Sequence, residues 1–224
     1  NYKDGKKDGK VTSWHENGQK WAEANRKDGE LDGKRTVWYE NGQKEWEGNH
    51  KDGKRDGKVN EWHENGQKRF EGNFIDDKYD GKRTYWYENG QKKLEGNTKD
   101  GIPDGNWTSW FENGLQSGEG SFKDGTGTFL QLHENNQKSY EVIFKDGLGK
   151  RTRWHENGRI KFEGNYKDGK ENGKVTEWHE NSQKKKEKNY KDGKQEGKET
   201  WWHENGQIKS EKNYKDGNLV GETK

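Results

Sequence analysis

Aromatic residues and reverse-turn dipeptides recur along the chain with a period of about 24 residues. An aromatic pair such as Trp14-His15 precedes a Glu-Asn step, and a Lys-Asp-Gly step usually follows about ten residues later. The asparagine of the first step lies at Asn17, Asn41, Asn65, Asn89, Asn113, Asn135, Asn157, Asn181 and Asn205. Nine repeats therefore fill the chain, and self-similarity at such a period indicates a repeat architecture.

Each repeat is predicted to be one β-hairpin. Asn-Gly and Asp-Gly adopt positive φ at low cost, so every repeat contains two chain reversals. The segments between the reversals are too short to form stable isolated helices. The sequence therefore predicts an all-β fold, an elongated single-layer antiparallel β-hairpin solenoid of about nine hairpins, in one continuous array over residues 1–224.

Two repeats have 22 residues instead of 24. They contain Asp124-Gly125-Thr126-Gly127 and Asp146-Gly147-Leu148-Gly149, and the missing pair is predicted to come from the second turn only. Removing an even number of residues keeps every side chain on its original face. The chain also opens on Asn1-Tyr2-Lys3-Asp4-Gly5, which elsewhere lies inside a repeat, so we expect the array to be truncated within a repeat at both ends.

The length of the loop at the Asn-Gly turn decides which residues share a face. A strict two-residue turn would pair Thr12 with Glu23. A three-residue loop with glycine in the left-handed region would pair Thr12 with Ala22 instead. It would also pair Trp14 with Lys20, and this second register is the one we predict.

The predicted register gathers most aromatic residues on one face, which twisting of the sheet would curl into a trough. We expect this aromatic face to bind a partner, although the alternative that the rings only pack on each other stays open. The predicted site residues are Trp14, Trp38, Trp46, Trp62, Phe70, Phe74, Trp86, Leu94, Trp110, Phe122, Tyr140, Phe144, Trp154, Phe162, Tyr166, Trp178 and Trp202.

Composition supports a folded chain with a thin aromatic core. Leu, Ile, Val and Phe make up only 25 of 224 residues, but 28 residues are aromatic, 12 of them Trp, and the net charge is +2. A disordered chain would have few aromatic residues and a larger net charge. There is no Cys, which excludes disulfides and leaves the compartment open. Basic residues are not clustered as phosphate binding requires, so nucleic acid is not expected as a partner.

The repeats resemble a known family. Phe70-Glu71-Gly72-Asn73-Phe74, followed by a turn and Gly81-Lys82-Arg83-Thr84-Tyr85-Trp86, resembles the MORN repeat, in which an aromatic residue, a glycine and a second aromatic residue alternate before a hairpin. The Trp-His/Tyr-Glu-Asn-Gly-Gln-Lys segment resembles the MORN repeat variant of bacterial proteins often labelled YwqK-family antitoxins. The resemblance covers nearly the whole chain and implies a scaffold for protein or membrane contacts.

Departures from the repeated pattern concentrate at a few positions. Leu132 replaces the tryptophan, Ser182 replaces the turn glycine, and Asp76-Asp77-Lys78 replaces one Lys-Asp-Gly turn. In the last two repeats Lys186 and Ser210 stand at an apolar position. We expect these two repeats to form a cap or a more solvated end.

Residues able to perform chemistry recur too regularly to form one catalytic site. A glutamate present in all nine repeats is predicted to be a cross-strand partner of threonine or asparagine, because catalysis requires one tuned constellation. It occurs at Glu23, Glu47, Glu71, Glu95, Glu119, Glu141, Glu163, Glu187 and Glu211. No catalytic residue and no cofactor are predicted, so we do not expect an enzyme.

Six histidines and the turn acids are the candidate metal ligands. The histidines share one repeat position, at His15, His63, His133, His155, His179 and His203. Neighbouring copies would lie two strands apart, about 9.6 Å, while each zinc–nitrogen bond is about 2.1 Å. Tyr39 and Tyr87 occupy the same position, which favours an aromatic ladder. Acids such as Asp28 and Asp32 do not form a calcium-binding loop, so no metal site is predicted.

A non-enzymatic scaffold that binds a protein partner is the leading functional hypothesis, with a toxin as the partner if the antitoxin resemblance holds. A carbohydrate-binding or cell-wall-binding module is the first alternative, because tryptophan and tyrosine beside asparagine and glutamate can stack on sugars. A peripheral lipid-binding scaffold is a weaker alternative, since anionic membranes attract polybasic clusters that this chain lacks. Self-association through the sheet ends is a further expectation.

Overall fold

The computed structural model describes residues 2–223; Asn1 and Lys224, the ends of the predicted array, lie outside the described residues. Contacts divide the chain into an N-terminal segment, residues 1–116, and a C-terminal segment, residues 117–224. All regular secondary structure in the described part is β-strand, and the strands pair antiparallel with their neighbours in the chain. The predicted all-β hairpin architecture is confirmed.

The N-terminal segment contains a two-stranded sheet, β1–β2, and a larger sheet that begins with β3. Its strands are β1 Tyr2–Lys3, β2 Lys6–Lys7, β3 Gly9–Trp14, β4 Lys20–Lys27, β5 Glu30–Trp38, β6 Lys44–Lys51, β7 Lys54–Trp62, β8 Lys68–Ile75, β9 Lys78–Tyr79, β10 Gly81–Trp86, β11 Lys92–Lys99, β12 Ile102–Pro103 and β13 Gly105–Trp110. The two-residue strands β2, β9 and β12 are each separated from the following strand by one residue.

The C-terminal segment repeats the same hairpin plan. Its strands, the first of which begins one residue before the boundary, are β14 Gln116–Lys123, β15 Thr126–Leu132, β16 Lys138–Lys145, β17 Leu148–Trp154, β18 Ile160–Lys167, β19 Lys170–Trp178, β20 Lys184–Lys191, β21 Lys194–Gln195, β22 Gly197–Trp202, β23 Ile208–Lys215 and β24 Asn218–Thr223. Strands β14 to β20 pair in sequence order, and β20 pairs with both β21 and β22.

The first turn of each repeat is the predicted three-residue loop. In the first complete copy, Gly18 has φ +82° and Trp14 pairs with Lys20. The amide of Gln19 donates a hydrogen bond to the Asn17 side chain, which fixes the loop. Asparagine therefore closes the turn with its side chain while glycine supplies the positive φ.

A β-bulge directly after this turn changes the register that we predicted. Ser13 pairs with Ala22 and Thr12 with Glu23, so Trp21 has no partner across the hairpin. The predicted pairing of Trp14 with Lys20 is right, but the predicted pairing of Thr12 with Ala22 is wrong. An unpaired residue inside one strand shifts the parity, so every residue beyond the bulge lies opposite a different partner from the one expected.

The second turn is a tight two-residue reversal. In most repeats another bulge comes directly after it. Lys27 pairs with Glu30 across Asp28 and Gly29, both of which have positive φ. Three residues of β5, residues 32–34, then face Asn25 alone. The turn residues adopt the mirror-image conformation that suits the right-handed twist of paired strands.

The two 22-residue repeats lack this second bulge. Their turn keeps both residues, Asp124 and Gly125, and the pairing from Lys123–Thr126 to Gly118–Gln131 is uninterrupted. The prediction that the missing residues come from the turn is therefore wrong, because they come from the strand that follows it. The predicted conservation of faces holds, since two residues are missing.

Candidate binding face

Each sheet has one face that is nearly the same in every repeat and one face that varies. We call the first the constant face and define it by the positions of Thr12, Trp14 and Glu23. We call the second the variable face and define it by the positions of Ser13 and Ala22. The assignment follows from the register, because directly paired residues point to the same side and successive residues alternate.

Tryptophan, lysine and glutamate form the constant face. The ammonium group of Lys44 lies 5.6 Å from the Trp62 ring centroid in the next repeat. The same lysine is 2.8 Å from the carboxylate of Glu47, and Lys34 approaches that carboxylate from the neighbouring strand at 3.0 Å. Five more lysine–tryptophan contacts of 5.4–5.7 Å repeat this cation–π arrangement.

Paired lysines lower the pKa of five repeated glutamates, Glu23, Glu47, Glu71, Glu95 and Glu187. For Glu71 the hydrogen bond from Lys68 is the largest cause, partly opposed by burial, and the pKa falls below its usual 4.5. In Glu47 burial alone raises the pKa of the carboxyl, but the two lysine hydrogen bonds together outweigh it. These glutamates therefore stay ionised and serve as cross-strand partners, as the pairing of Glu23 with Thr12 shows.

Side chains beside the first turn join each repeat to the next. The ring nitrogen Nε2 of His63 lies 3.1 Å from the backbone oxygen of Trp86, and Tyr39 donates its hydroxyl to the oxygen of Trp62. Histidine and tyrosine thus both donate to the same repeated acceptor, because a carbonyl can only accept. The expected aromatic ladder is therefore a hydrogen-bonded ladder. Among the described residues, no group of three or more histidine, aspartate or glutamate side chains could hold a metal ion.

The variable face contains the apolar core of each segment. In the N-terminal segment Phe70, Phe74 and Val59 are at most 2% exposed, and Trp46, Tyr79 and Tyr85 pack against them. The Phe70 ring also covers Gly72, where a Cβ would lie 2.5 Å from the ring. The core therefore forms on one side of a single sheet by laying rings over glycine and over each other.

Arginine is the characteristic charged residue of the variable face. The guanidinium carbon of Arg55 lies 4.2 Å from the Phe74 ring centroid. Arg83 lies 4.5 Å from both the Tyr79 and the Trp107 centroids. In the C-terminal segment Arg151 lies 4.7 Å from the ring of Tyr166. Arginine suits this face because its planar cation is weakly hydrated and stacks on rings.

The structure separates the predicted site residues into two groups, so the single aromatic face that we predicted is wrong. The bulge after the first turn is the physical reason. On the constant face lie Trp14, Trp38, Trp62, Trp86, Trp110, Trp154, Trp178 and Trp202. On the variable face lie Trp46, Phe70, Phe74, Leu94, Phe122, Tyr140, Phe144, Phe162 and Tyr166.

Arginines and bulge residues of the variable face were missing from the predicted site. Arg69 and Lys93 occupy the unpaired bulge position. Arg69 follows Lys68, which pairs with Trp62, and Lys93 follows Lys92, which pairs with Trp86. The position varies from repeat to repeat, so no periodic signal marks it. A sequence signal did exist, because arginine is rare in this lysine-rich chain and most of its copies fall on one face.

A cleft opens on the variable face between two successive repeats of the N-terminal segment. It has a volume of about 400 Å³, and its lining includes Arg69, Arg83, Tyr85, Lys93 and Leu94. Burial and the neighbouring Tyr79 raise the pKa of Tyr85 far above its usual 10. The phenol of Tyr85 therefore keeps its proton at neutral pH, and its hydroxyl is already hydrogen-bonded to Tyr79.

The C-terminal segment has a cleft at the same repeat positions with a different lining. It has a volume of about 370 Å³ and is lined by Lys161, Glu177, Lys185, His155 and His179, together with three further side chains and Trp178. Glu177 takes the place of Tyr85, and Lys161 and Lys185 take the places of Arg69 and Lys93.

No helix capable of spanning a membrane occurs among residues 2–223.

Comparison with known proteins gives one family. The family model described as the MORN repeat variant matches residues 7–28, 31–53, 55–76, 79–100, 148–168, 171–192 and 195–216. The seven matches cover more than half of the chain and follow the hairpin repeats. No curated protein matches the chain.

Proposed function

The chain belongs to the MORN repeat variant family, and on that premise we propose that it is a non-enzymatic scaffold that binds a protein partner through its variable face. Repeats of this family form a repeat scaffold, and the fold described above is such a scaffold. The geometry supports the choice of the variable face as the recognition face.

Variation between repeats is the observation that carries the proposal. The position of Ala22 holds eight residue types in nine repeats, and the position of Ser13 holds seven. On the opposite face the position of Glu23 holds one type and that of Trp14 only two. A repeat protein keeps the residues that join its repeats and varies those that contact its ligand.

The composition of the variable face also suits a protein interface. Aromatic residues and arginine are the residues enriched in protein–protein interfaces, whereas lysine and glutamate are depleted. Trp46, Tyr140 and Phe162 are half-buried on the variable face and are not part of a fully closed core. Their rings can therefore lose further exposed area when a partner binds.

An affinity pull-down from an extract of the source organism tests the choice of face. One bait carries Trp46→Ser, Tyr140→Ser and Phe162→Ser on the variable face. The matched bait carries Trp38→Ser, Leu132→Ser and Trp154→Ser, which lie on the paired strands of the same hairpins but on the constant face. We expect a partner that the parent chain and the constant-face bait retain and that the variable-face bait loses.

Thermal unfolding of all baits serves as the control for folding. If the serine set unfolds, the milder set Trp46→Leu, Tyr140→Leu and Phe162→Leu is used instead, because it removes the rings but keeps an apolar side chain at each position. A partner lost only from the constant-face bait would contradict the proposal. A toxin is the partner that the antitoxin resemblance would imply. Co-expression of this chain would then rescue the growth of cells that express the candidate toxin.

A carbohydrate is the second candidate ligand, and it belongs to the other face. The row of tryptophans with lysine and glutamate on the constant face recurs at a spacing of two strands, about 9.6 Å. Such a row can stack on successive sugar rings. A glycan array probed with the parent chain and with the Trp62→Ser, Trp86→Ser variant tests this, and absence of any retained glycan would remove the candidate.

A further inference from the structure

The cleft on the variable face of the N-terminal segment has three cationic side chains and no carboxylate in its lining. Arg69, Arg83 and Lys93 surround Tyr85 and Leu94. Of these cations, only Arg69 has an ion pair among the described residues, 3.2 Å from Glu61. The cleft is therefore an apolar floor with an excess of positive charge.

Arg83 is held in a fixed orientation without an acidic partner. Its guanidinium lies between the rings of Tyr79 and Trp107, 4.5 Å from each centroid. Its Nε is buried and has no hydrogen-bond partner among the described residues. A stacked guanidinium loses little further freedom when it binds an acid, and its planar set of donors matches a carboxylate.

Lys93 adds one more donor at this site, and Tyr85 forms its floor. The Lys93 ammonium lies 5.1 Å from the Tyr87 ring centroid and has no carboxylate partner among residues 2–223. Tyr85 packs against Phe70 with ring centroids 4.8 Å apart, which fixes its ring at the floor of the cleft. An anion entering the cleft would meet donors already positioned by packing.

The equivalent cleft of the C-terminal segment has a carboxylate at the position of Tyr85. Its lining includes Glu177 together with Lys161 and Lys185. The position of Arg83 is occupied by Val175 there. The same backbone geometry therefore holds a cationic cleft in one segment and a more acidic cleft in the other.

We propose that the cleft of Arg69, Arg83 and Lys93 binds an acidic side chain, aspartate or glutamate, in a segment of the protein partner. The carboxylate pairs with the guanidinium groups, and the methylene carbons beside it rest on Leu94 and Tyr85. This inference rests on the proposed function and specifies the partner as one with an acidic segment that also carries apolar residues. Charge complementarity is the argument for this occupant.

Fluorescence anisotropy with a labelled peptide of alternating phenylalanine and glutamate tests the proposal. The counterpart peptide replaces each glutamate by glutamine. We expect the parent chain to bind the glutamate peptide at least about tenfold more tightly, because a charge-assisted hydrogen bond is roughly twice as strong as a neutral one.

Two double variants with the same loss of charge locate the binding. Arg69→Gln with Lys93→Gln alters the N-terminal cleft, and Lys161→Gln with Lys185→Gln alters the same repeat positions in the C-terminal segment. We expect about tenfold weaker binding for the first variant and less than a twofold change for the second. Arg83→Lys keeps the charge but not the planar donor set, so we expect weaker binding than in the parent.

Several results would overturn the acidic-segment proposal. The two peptides could bind equally well, or the two double variants could lose the same affinity for the glutamate peptide. Alternatively, Arg69 and Lys93 could bind phosphatidylserine vesicles and not the peptide. Circular dichroism of each variant confirms that it is folded. If the partner in the pull-down is lost from the Trp46, Tyr140 and Phe162 bait but kept by the Arg69, Lys93 variant, the proposed function stands and the cleft proposal falls.

Discussion

A single residue in this protein can contact the preceding repeat through its backbone and through its side chain. The backbone oxygen of Trp62 accepts a hydrogen bond from Tyr39, while its ring is approached by Lys44. Both contacts come from the preceding repeat. Replacing the side chain removes the packing of this partly buried ring and the cation–π contact, which contributes about 0.5–1 kcal/mol, but it leaves the backbone acceptor in place.

Ser182 is the residue at which a stabilising substitution is easiest to foresee. It has φ +71° at a turn position where glycine usually stands. The left-handed region costs a non-glycine residue roughly 1–2 kcal/mol, partly offset by the greater entropy of glycine in the unfolded chain. Ser182→Gly should therefore raise the free energy of unfolding by about 0.5–1 kcal/mol, measured by urea denaturation.

Asn136→Gly provides the graded comparison for this prediction. Asn136 occupies the same turn position with φ +63°. Asparagine tolerates this conformation better than serine, so its replacement should gain less. A loss of stability in Ser182→Gly, or a larger gain in Asn136→Gly, would show that the turn is limited by something other than backbone strain.

At the scale of elements, the sequence predicted the hairpins and both turns but not the faces. Asn17 and Gly18 identify the first turn, and Asp28 and Gly29 the second, because few residues adopt these conformations. The bulge residue Trp21 could not be identified, since Glu45 and Arg69 stand at the same position in later repeats. A bulge is defined by a missing partner across the hairpin and not by a residue type.

The second bulge leads to a prediction about deletions. Asp56, Gly57 and Lys58 together face Asn49, whereas the 22-residue repeats have one residue at this place. Deleting Asp56 and Gly57 should therefore produce the shorter hairpin and lower the melting temperature by less than about 5 °C. Deleting Asp56 alone should lower it by more than about 10 °C, because the following strand changes face.

Differential scanning calorimetry on the two deletion variants measures this difference. The pattern to look for is the larger deletion being the milder one. If the single deletion proves as stable as the double deletion, the hairpin accommodates either length. The loss of two residues in the shorter repeats would then not be needed to keep the strand register.

For the whole molecule, the repeated lysine–glutamate pairs predict how stability depends on pH. The pKa of Glu23, Glu47, Glu71, Glu95 and Glu187 is lowered in the folded chain. Their contribution to stability is complete above the unfolded value near 4.5 and is lost as the pH falls through the lower folded values. We expect stability to decrease progressively as the pH falls below about 4.5.

Urea unfolding across this pH range, with two triple variants, measures the contribution. Glu47→Gln, Glu71→Gln and Glu95→Gln should flatten the dependence on pH. Glu40→Gln, Glu64→Gln and Glu112→Gln remove three exposed glutamates beside the first turns and should leave the slope nearly unchanged. Equal slopes in the two variants would mean that acid sensitivity arises elsewhere in the chain.

The ladder beside the first turn has a consequence for how genes of this kind can change. His63 and Tyr39 reach a backbone oxygen, and Asn41 likewise donates to the backbone oxygen of Glu64. Because every residue provides such an oxygen, these hydrogen bonds do not depend on which side chain the next repeat carries at the acceptor position. In-frame recombination between repeats should therefore yield chains that fold and present the same residues in a new order, so this scaffold can explore binding surfaces by rearranging repeats without waiting for point mutations.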